Sequence, residues 1–313
     1  MASPVIPAAL APAFRGYNST FNAAFVAQTP LWSKFAMKTP STGESETYGW
    51  LEESPGVREW IGSRIRHTEK LRSFTITNKD WEVTEEISGN AVEDDKLSMF
   101  GPRIVRQAAT AAMKPDLLVL NLLVDSFVGL AYDSAAFFGT HTWKNTTWDN
   151  STTASLDADS FAAAKEEFIK TLGSFGAKDE APLNMNPQFM LVVGPSLEAT
   201  ARTILNAQLI GGGDSNINLN AAELLVLPYL NNNTGAAGTV QAANYWFLIC
   251  TNSPGGLMPF IYQERRPWRT QEFNSSQDWI VFDTNTFVWG ADARFNVGRG
   301  LWQLAYGSTG TNE

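Results

Sequence analysis

The chain has 313 residues, 44% hydrophobic and 18% charged, which is typical of a globular protein with a sizeable core and, as a soft prior, of roughly two domains. Its net charge of −9 excludes nucleic-acid binding by bulk positive charge. The single cysteine, Cys250, excludes a disulfide framework and fits a reducing, cytoplasmic origin, while the apolar runs are far shorter than the roughly 20 residues of a membrane span.

Residues 1–40 are predicted to form an N-terminal arm. No positive residue precedes the first apolar residues, so no secretory signal is predicted. Prolines flank one helical stripe, whose apolar face needs another surface. That surface belongs either to another subunit or to the same chain, and both alternatives remain open. The stripe consists of Leu10, Phe14, Tyr17, Phe21 and Phe25, at helical spacing.

Residues 41–80 are predicted to form an extended loop, a long β-hairpin. The segment TYGWLEESPGVREWIGSR, residues 47–64, is too broken by proline and glycine for a core element and too aromatic for an ordinary surface loop. A basic block from Arg58 to Arg72 lies between two acidic blocks. The alternation in FTITNKDWEV predicts strands, and a long two-stranded hairpin is marginal alone, so we expect a contact from outside to stabilise it.

The longest helix is predicted over residues 94–128. It begins either at Asp94 and Asp95, which suit a helix N-terminus, or at Gly101 and Pro102, and Pro115 is expected to kink or interrupt it. Its apolar face is predicted to include Leu117, Leu118, Leu122 and Phe127.

The following segment, FFGTHTWKNTTWDNSTTASL, is interpreted as polar and turn-rich, with His141 as a loop histidine. A helix capped by Asp159 or Ser160 is predicted next, ending at Gly173. One side of this helix is expected to be buried: Phe161, Ala164, Phe168 and Leu172.

Residues 186–282 alternate strand and helix signals, which predicts a mixed α/β domain. FMLVVG is predicted to be a buried strand, and Ser196 is predicted to cap the helix SLEATARTILNAQ. The remaining predicted strands are ELLVLPYL, NYWFLICT, PFIYQE and WIVFDT, with two more in FVWGADARFNVGRGLWQLAYGS. The segments GGGDSNINLN and NNNTGAAGT are predicted loops.

Catalytic motifs are absent from the sequence: it contains no GxxxxGK[ST], HExxH or GxGxxG. Ser196 fails the nucleophile-elbow pattern, because Glu198 stands where glycine is required. The acids at 93–95 are better explained by a helix N-terminus than by a cation, and Glu52, Glu53 and Glu59 lie in too irregular a segment for paired catalytic carboxylates. We therefore predict no catalytic, cofactor-binding or metal-binding residue and no cofactor.

Four segments carry a resemblance that runs from about residue 8 to about residue 308. They are TYGWLEESPGVREWIGSR, FTITNKDWEVTEEISGNAVEDDKLSMFGP, FFGTHTW and FVWGADARFNVGRGLWQLAYGS. On these segments the chain is identified as a member of the major head subunits of Mu-like bacteriophages and prophages. The resemblance implies the Hong Kong 97 capsid fold, with mixed α/β content. It assigns residues 1–40 to the N-arm, 41–80 to the extended loop, 81–185 and 283–313 to a peripheral domain whose long spine helix begins near Asp95, and 186–282 to an axial domain.

The implied function is structural, not enzymatic. Copies are expected to assemble as hexamers and pentamers into the icosahedral phage head, around double-stranded DNA bound without sequence specificity. Assembly is expected in the host bacterial cytoplasm, with separate scaffolding, portal and decoration proteins as candidate partners and no membrane. Two alternatives remain: a carbohydrate-active enzyme or binding module using Trp246, Trp268 and Trp279, or a tail or decoration protein. The predicted inter-subunit contacts are Phe14, Phe21, Phe25, Trp50, Arg58, Trp60, Arg64, Arg66 and Arg72.

Overall fold

The computed structural model describes residues 10–49, 59–60, 74–93, 97–143, 146–174, 182–210, 213–232, 242–275 and 278–311. Its helices are α1 (Leu10–Val26), α2 (Gly89–Glu93), α3 (Gly101–Asp125), α4 (Ala158–Ser174), α5 (Glu198–Asn206) and α6 (Trp279–Thr284). Its strands are β1 (Ala36–Pro40), β2 (Ser45–Tyr48), β3 (Phe74–Thr77), β4 (Lys79–Ser88), β5 (Thr140–Trp143), β6 (Thr146–Asp149), β7 (Ser151–Thr152), β8 (Phe189–Val193), β9 (Leu209–Ile210), β10 (Asp214–Ser215), β11 (Glu223–Val226), β12 (Trp246–Cys250), β13 (Phe260–Phe273), β14 (Thr286–Arg299) and β15 (Ala305–Ser308).

A four-stranded sheet forms one half of the fold, in the order β1-β13-β14-β4. The 14-residue strands β13 and β14 pair antiparallel, from Phe260 opposite Arg299 to Phe273 opposite Val288. β1 pairs parallel with the start of β13, and β4 pairs antiparallel with β14. Because successive side chains of a strand point to opposite faces, Trp289 is buried under α1 and α3 while its neighbours face away.

Helix α3 is the long spine of this half, at 25 residues or about 37 Å. It begins at Gly101 with Pro102 in its first turn, so the predicted start near Asp95 is wrong and the alternative start is confirmed. The helix continues through the buried Pro115, so the predicted interruption does not occur. Leu117 is 37% exposed, which corrects the predicted apolar face. The buried face consists of Ile104, Ala108, Ala111, Pro115, Val119, Leu120, Leu123 and Val124.

Helix α1 matches the predicted stripe and packs on its own chain. Phe14, Tyr17 and Phe21 are buried in a cluster with side chains of α3 and β14. The Phe21 ring lies 5.3 Å from the Trp289 ring, and Trp289 Nε1 donates a hydrogen bond to Asn18 Oδ1 at 2.8 Å. Of the two alternatives for the arm helix, docking on the same chain is therefore the one that the structure shows.

A five-stranded sheet forms the other half, in the order β11-β8-β12-β15-β7. β8 and β12 are buried along their whole length. The predicted apolar side of α4 is buried as expected, but the cap is Asp157, whose Oδ1 accepts from the backbone N–H groups of Asp159 and Ser160. The prediction that Ser196 caps the next helix is wrong, because α5 begins at Glu198 and the Ser196 hydroxyl donates to the Ala243 carbonyl at 3.0 Å.

Two local predictions are overturned. WIVFDT is the helix α6 and not a strand; Asp278 precedes it, and Asn285 ends it in the left-handed region at φ 51°. The segment around His141 is not a polar loop, since it forms the antiparallel hairpin β5–β6 with His141 fully buried.

The two sheets divide the chain differently from the predicted domain boundaries. β13, predicted to be axial, pairs with β14, and β15, predicted to be peripheral, pairs with β12. β1, predicted to belong to the arm, is part of the four-stranded sheet. The predicted boundaries at residues 40 and 282 therefore separate strands that pair with one another, and the division into domains stays a prediction.

Candidate functional site

The predicted inter-subunit contacts fall into three groups, which are buried, at least partly exposed, or outside the described residues. Phe14 and Phe21 are buried in their own chain, where their apolar surface is already covered. Phe25 is half-buried and stacks on Phe21 with ring centroids 6.1 Å apart. Trp60 is 68% exposed. The other five, Trp50, Arg58, Arg64, Arg66 and Arg72, lie outside the described residues.

The base of the extended loop is fixed to β13. β2 and β3 pair antiparallel, and Tyr48 and Ile76 form a buried cluster with Ile261. The Tyr48 hydroxyl donates to Gln263 Oε1 at 2.9 Å, and Gln263 Nε2 donates to the Ile76 carbonyl at 3.1 Å. Burial, followed by the negative charge of Glu46, raises the pKa of Tyr48 to about 12. The two strands at this base, β2 and β3, are therefore anchored on β13.

A turn beside this base is held by the Glu46 carboxylate. Its Oε1 accepts hydrogen bonds from the backbone N–H groups of Thr42 and Gly43, at 2.6 and 2.9 Å, and from the Ser41 hydroxyl at 2.9 Å. These bonds, led by the one from Thr42, lower the pKa of Glu46. The carboxylate thus fixes the approach to β2.

The outer face of the four-stranded sheet is acidic along β4. Glu85 points toward the helices, where its carboxylate lies 2.7 Å from Arg103 of α3. Because the side chains of a strand alternate, Asp80, Glu82 and Glu86 point the other way, and all three are exposed. Asp80 lies 3.8 Å from Arg266 and 3.7 Å from Arg294, so part of its charge is compensated on the same face. Glu82 and Glu86 are opposite in charge to the arginines among residues 58–72.

An apolar groove of about 340 Å³ opens where α1 ends, between that end, α3, β1 and β13. Trp32 and Tyr262 contact each other in its wall, with ring centroids 4.5 Å apart. Its charged side chains, Lys38 and Glu264, pair at 2.6 Å. The lining is Phe25, Val26, Gln28, Pro30, Trp32, Lys38, Ala112, Pro115, Tyr262, Glu264, Pro267 and Trp268. Sequence analysis missed this groove because its residues come from segments far apart in the chain.

His141 forms a closed cluster rather than a reactive site. Its Nδ1 lies 2.6 Å from Asp133 Oδ2, its Nε2 lies 3.3 Å from the Phe137 carbonyl, and its ring stacks on Trp302 at 3.8 Å. Burial alone would raise the pKa of Asp133, but the hydrogen bond and charge of His141 outweigh it and hold that pKa below its usual value. Since the His141 side chain is fully buried, the cluster has a structural role.

Within the described residues, no group of three or more histidine, cysteine, aspartate or glutamate side chains is arranged to bind a metal ion. No helix within the same residues combines the length and apolar character needed to cross a membrane.

Comparison with known proteins gives consistent matches. The family model described as Mu-like prophage major head subunit gpT matches residues 10–164, 147–230 and 231–312. The Mu-like prophage FluMu major head subunit of Haemophilus influenzae is 26% identical over 298 residues, which are 95% of this chain and 72% of that protein. The major capsid protein of Escherichia phage Mu is 23% identical over 301 residues, 96% and 73% of the two chains. Among solved structures, the procapsid of bacteriophage JBD30 matches with a TM-score of 0.55 and 26% identity, covering 98% of this chain and 76% of that one.

Proposed function

Because the chain belongs to the family of Mu-like prophage major head subunits and is a major capsid protein of the Hong Kong 97 fold, we propose that its copies join as hexamers and pentamers into a closed icosahedral shell around double-stranded DNA. The observation that carries this proposal is the family match from residue 10 to residue 312. Family and structural relatives are structural capsid proteins, not enzymes, and the carbohydrate-active alternative is not supported. Trp246 in particular is fully buried and donates to the Ala154 carbonyl.

The extended loop is the element proposed to link neighbouring subunits. Its base is anchored on β13, and Trp60 is largely exposed. Trp50 and Trp60 are proposed to pack on a neighbour, since tryptophan and arginine are frequent anchors of interfaces. The basic block, with Arg58, Arg64, Arg66 and Arg72, is proposed to face the acidic outer side of β4 on the next subunit, where complementary charge sets register more than affinity.

The wall of the shell is proposed to hold DNA without binding it tightly. Every phosphate contact adds salt-dependent affinity, and DNA that is being packaged must slide. A net charge of −9 suits such a container. An inner surface dense in lysine and arginine, seen in a shell reconstruction, would contradict this part of the proposal.

Other partners are proposed from the family alone. The JBD30 relative forms a procapsid, which supports assembly through a precursor shell. Separate scaffolding, portal and decoration proteins would then act in the cytoplasm of the host before the head is complete.

Replacing Trp60 by alanine, alone and with Trp50→Ala, tests the link. Ile217→Ala is the control, because Ile217 is also highly exposed, at 82%, and lies outside the loop. Closed shells are counted by negative-stain electron microscopy, and circular dichroism checks the fold. We expect fewer shells from the tryptophan variants only. Equal shell counts from correctly folded variants would exclude the loop as the link, and trimers or rings in place of shells would favour a tail or decoration protein.

A further inference from the structure

No described residue of the chain fills the apolar groove at the end of α1. We propose that it receives the Pro-Val-Ile-Pro segment, residues 4–7, from the N-arm of a second copy of the chain. This inference rests on the proposed function, since it requires that copies meet in a shell.

The groove has the chemistry of a binding surface for an uncharged, apolar segment. Trp32, Tyr262 and Trp268 contribute aromatic rings to its lining, and Val26 at its edge is 79% exposed. The opposite charges of Lys38 and Glu264 neutralise each other across 2.6 Å. An incoming segment would therefore gain by burying apolar surface and would find no unpaired charge to satisfy.

The N-terminal segment matches this chemistry. Residues 1–14 carry no charged side chain, and Pro4 and Pro7 enclose Val5 and Ile6. Proline-rich segments favour the polyproline II conformation, which costs little entropy to fix and docks in grooves lined by aromatic rings.

The extended loop is a poorer match for the groove. Its acidic pair Glu52 and Glu53, and its second charged pair Arg58 and Glu59, flank the tryptophans closely in sequence. Burying these charges in an apolar groove without partners would cost free energy. The charge-free arm is therefore the occupant that the sequence favours.

The length of the chain before α1 determines whether residues 4–7 can enter the groove of their own chain or only that of a second copy. The groove lies beside Phe25 and Val26, at the C-terminal end of α1. Leu10 and Phe25 are about 22 Å apart along the helix axis, at 1.5 Å per residue. Pro4 is six residues before Leu10, and six residues span about 21 Å even when fully extended. The segment cannot pass around its own helix and fill this groove, so it must come from another copy.

Disulfide trapping in assembled shells tests the contact. Ile6→Cys combined with Val26→Cys supplies the pair, and the native Cys250 is buried and does not compete. After oxidation, we expect a ladder of covalent multimers on a denaturing gel without reductant. The control pair, Ile6→Cys with Ile217→Cys, uses an equally exposed position away from the groove and should give no ladder.

Each outcome has a defined meaning. A monomer with an internal cross-link would place the chain's own arm in the groove. Shells with no more cross-linking than the control would show that the arm does not occupy the groove. Either result overturns the inference, while the proposed function stands. A ladder from Trp60→Cys with Val26→Cys, without one from the Ile6 pair, would assign the groove to the extended loop and also overturns it. Absence of closed shells from the unaltered chain would instead refute the proposed function.

A second measurement does not depend on cysteine chemistry. Val26→Glu places a charge in the groove at an exposed position, so the subunit should still fold. We expect shell yield to fall at least about tenfold, equivalent to about 1.4 kcal/mol, while Ile217→Glu stays within about twofold. Equal yields from the two variants would contradict the inference.

Discussion

Replacing Asp133 by alanine should strongly destabilise the subunit. The carboxylate holds two groups: His141 Nδ1 at 2.6 Å and the backbone N–H of Ala135 at 3.2 Å. Both side chains of the pair are buried, with 0% of His141 and 7% of Asp133 exposed. The substitution leaves the His141 ring stacked on Trp302 without its carboxylate.

The expected magnitude follows from the burial of the pair. Removing the carboxylate leaves His141 Nδ1 and the backbone N–H of Ala135 without their acceptor, and each buried unsatisfied group typically costs about 1–3 kcal/mol. Asp133→Asn keeps an acceptor oxygen but loses the charge, so its cost should be smaller, about 1.5–3 kcal/mol. Against a total stability of about 5–15 kcal/mol, Asp133→Ala removes a large share.

Urea unfolding of the unassembled subunit measures the loss as a lower midpoint at an unchanged slope. Asp214→Ala is the control, since Asp214 is exposed and exposed substitutions usually stay within about 0.5 kcal/mol. In a double-mutant cycle with His141→Ala, the double variant should lose less than the sum of the single losses, by at least about 1 kcal/mol. A loss below about 1 kcal/mol for Asp133→Ala, or additive losses in the cycle, would refute the role assigned to the pair.

The contact between Asp133 and His141 also predicts how the stability of the subunit changes in acid. The pKa of Asp133 in the folded chain is below its ordinary value, so its stabilising contribution is complete above the unfolded value of about 3.9 and is lost as pH falls through the folded value. Asp133→Ala should therefore show a weaker loss of stability below about pH 4 than the unaltered chain. Parallel acid-unfolding curves would contradict this linkage.

Three further predictions concern other parts of the fold. Gly298→Ala would place a Cβ 2.4 Å from a side-chain carbon of β3 and should lower the free energy of unfolding in urea by about 1–3 kcal/mol. Gly16→Ala in α1, whose added Cβ would have nothing within 4 Å, should raise the free energy of unfolding by about 0.5–1 kcal/mol. Phe21→Ala should cost about 3–5 kcal/mol by urea unfolding, because its ring is 1% exposed between α1 and β14. Burial raises the pKa values of Tyr48 and Tyr306 to about 12, so ultraviolet titration should show both ionising well above the usual pH of about 10, and stability should fall as pH rises from 10 toward 12.

Each of these predictions has a contradicting result. A stable Gly298→Ala variant would mean that the β2–β3 ladder can move away from β14. A loss below about 1 kcal/mol for Phe21→Ala would show that the arm helix is not docked on its own chain in solution. Titration of all tyrosines together near pH 10 in the folded protein would contradict the burial of Tyr48 and Tyr306.

Elements with a strong local period were predictable from the sequence. The stripe from Phe14 to Phe21 identified α1, and the one from Phe161 to Leu172 identified α4, because a helix repeats its buried positions every three or four residues. β8 and β12 were found as short, continuous apolar runs. The signals fail where a segment is too short for its period to be measured: the six residues of WIVFDT fit a strand or a helix equally, and the structure shows the helix α6, which ends at Asn285 in the left-handed region.

Long-range pairing was not predictable from local patterns. The polar β5–β6 hairpin buries His141 only because Trp302, far along the chain, covers its ring. The division into two sheets likewise depends on β15 pairing with β12, which no local pattern specifies. Of the candidate contacts, Phe14 and Phe21 pack within their own chain, which the sequence left open because an apolar stripe shows that a surface must be covered and not which chain covers it.

The order of the strands in the two sheets determines how late in its synthesis a new subunit can fold and assemble. β1, near the start of the chain, pairs with β13, and the five-stranded sheet has β15 between β12 and β7. A chain still emerging from the ribosome therefore completes neither sheet before β14 and β15 are translated, and these strands end at Arg299 and Ser308 of 313 residues. Pairing of such high contact order forms late and slowly. An unfinished chain would lack complete sheets, so synthesis itself would act as a quality check that keeps truncated polypeptides out of the growing head.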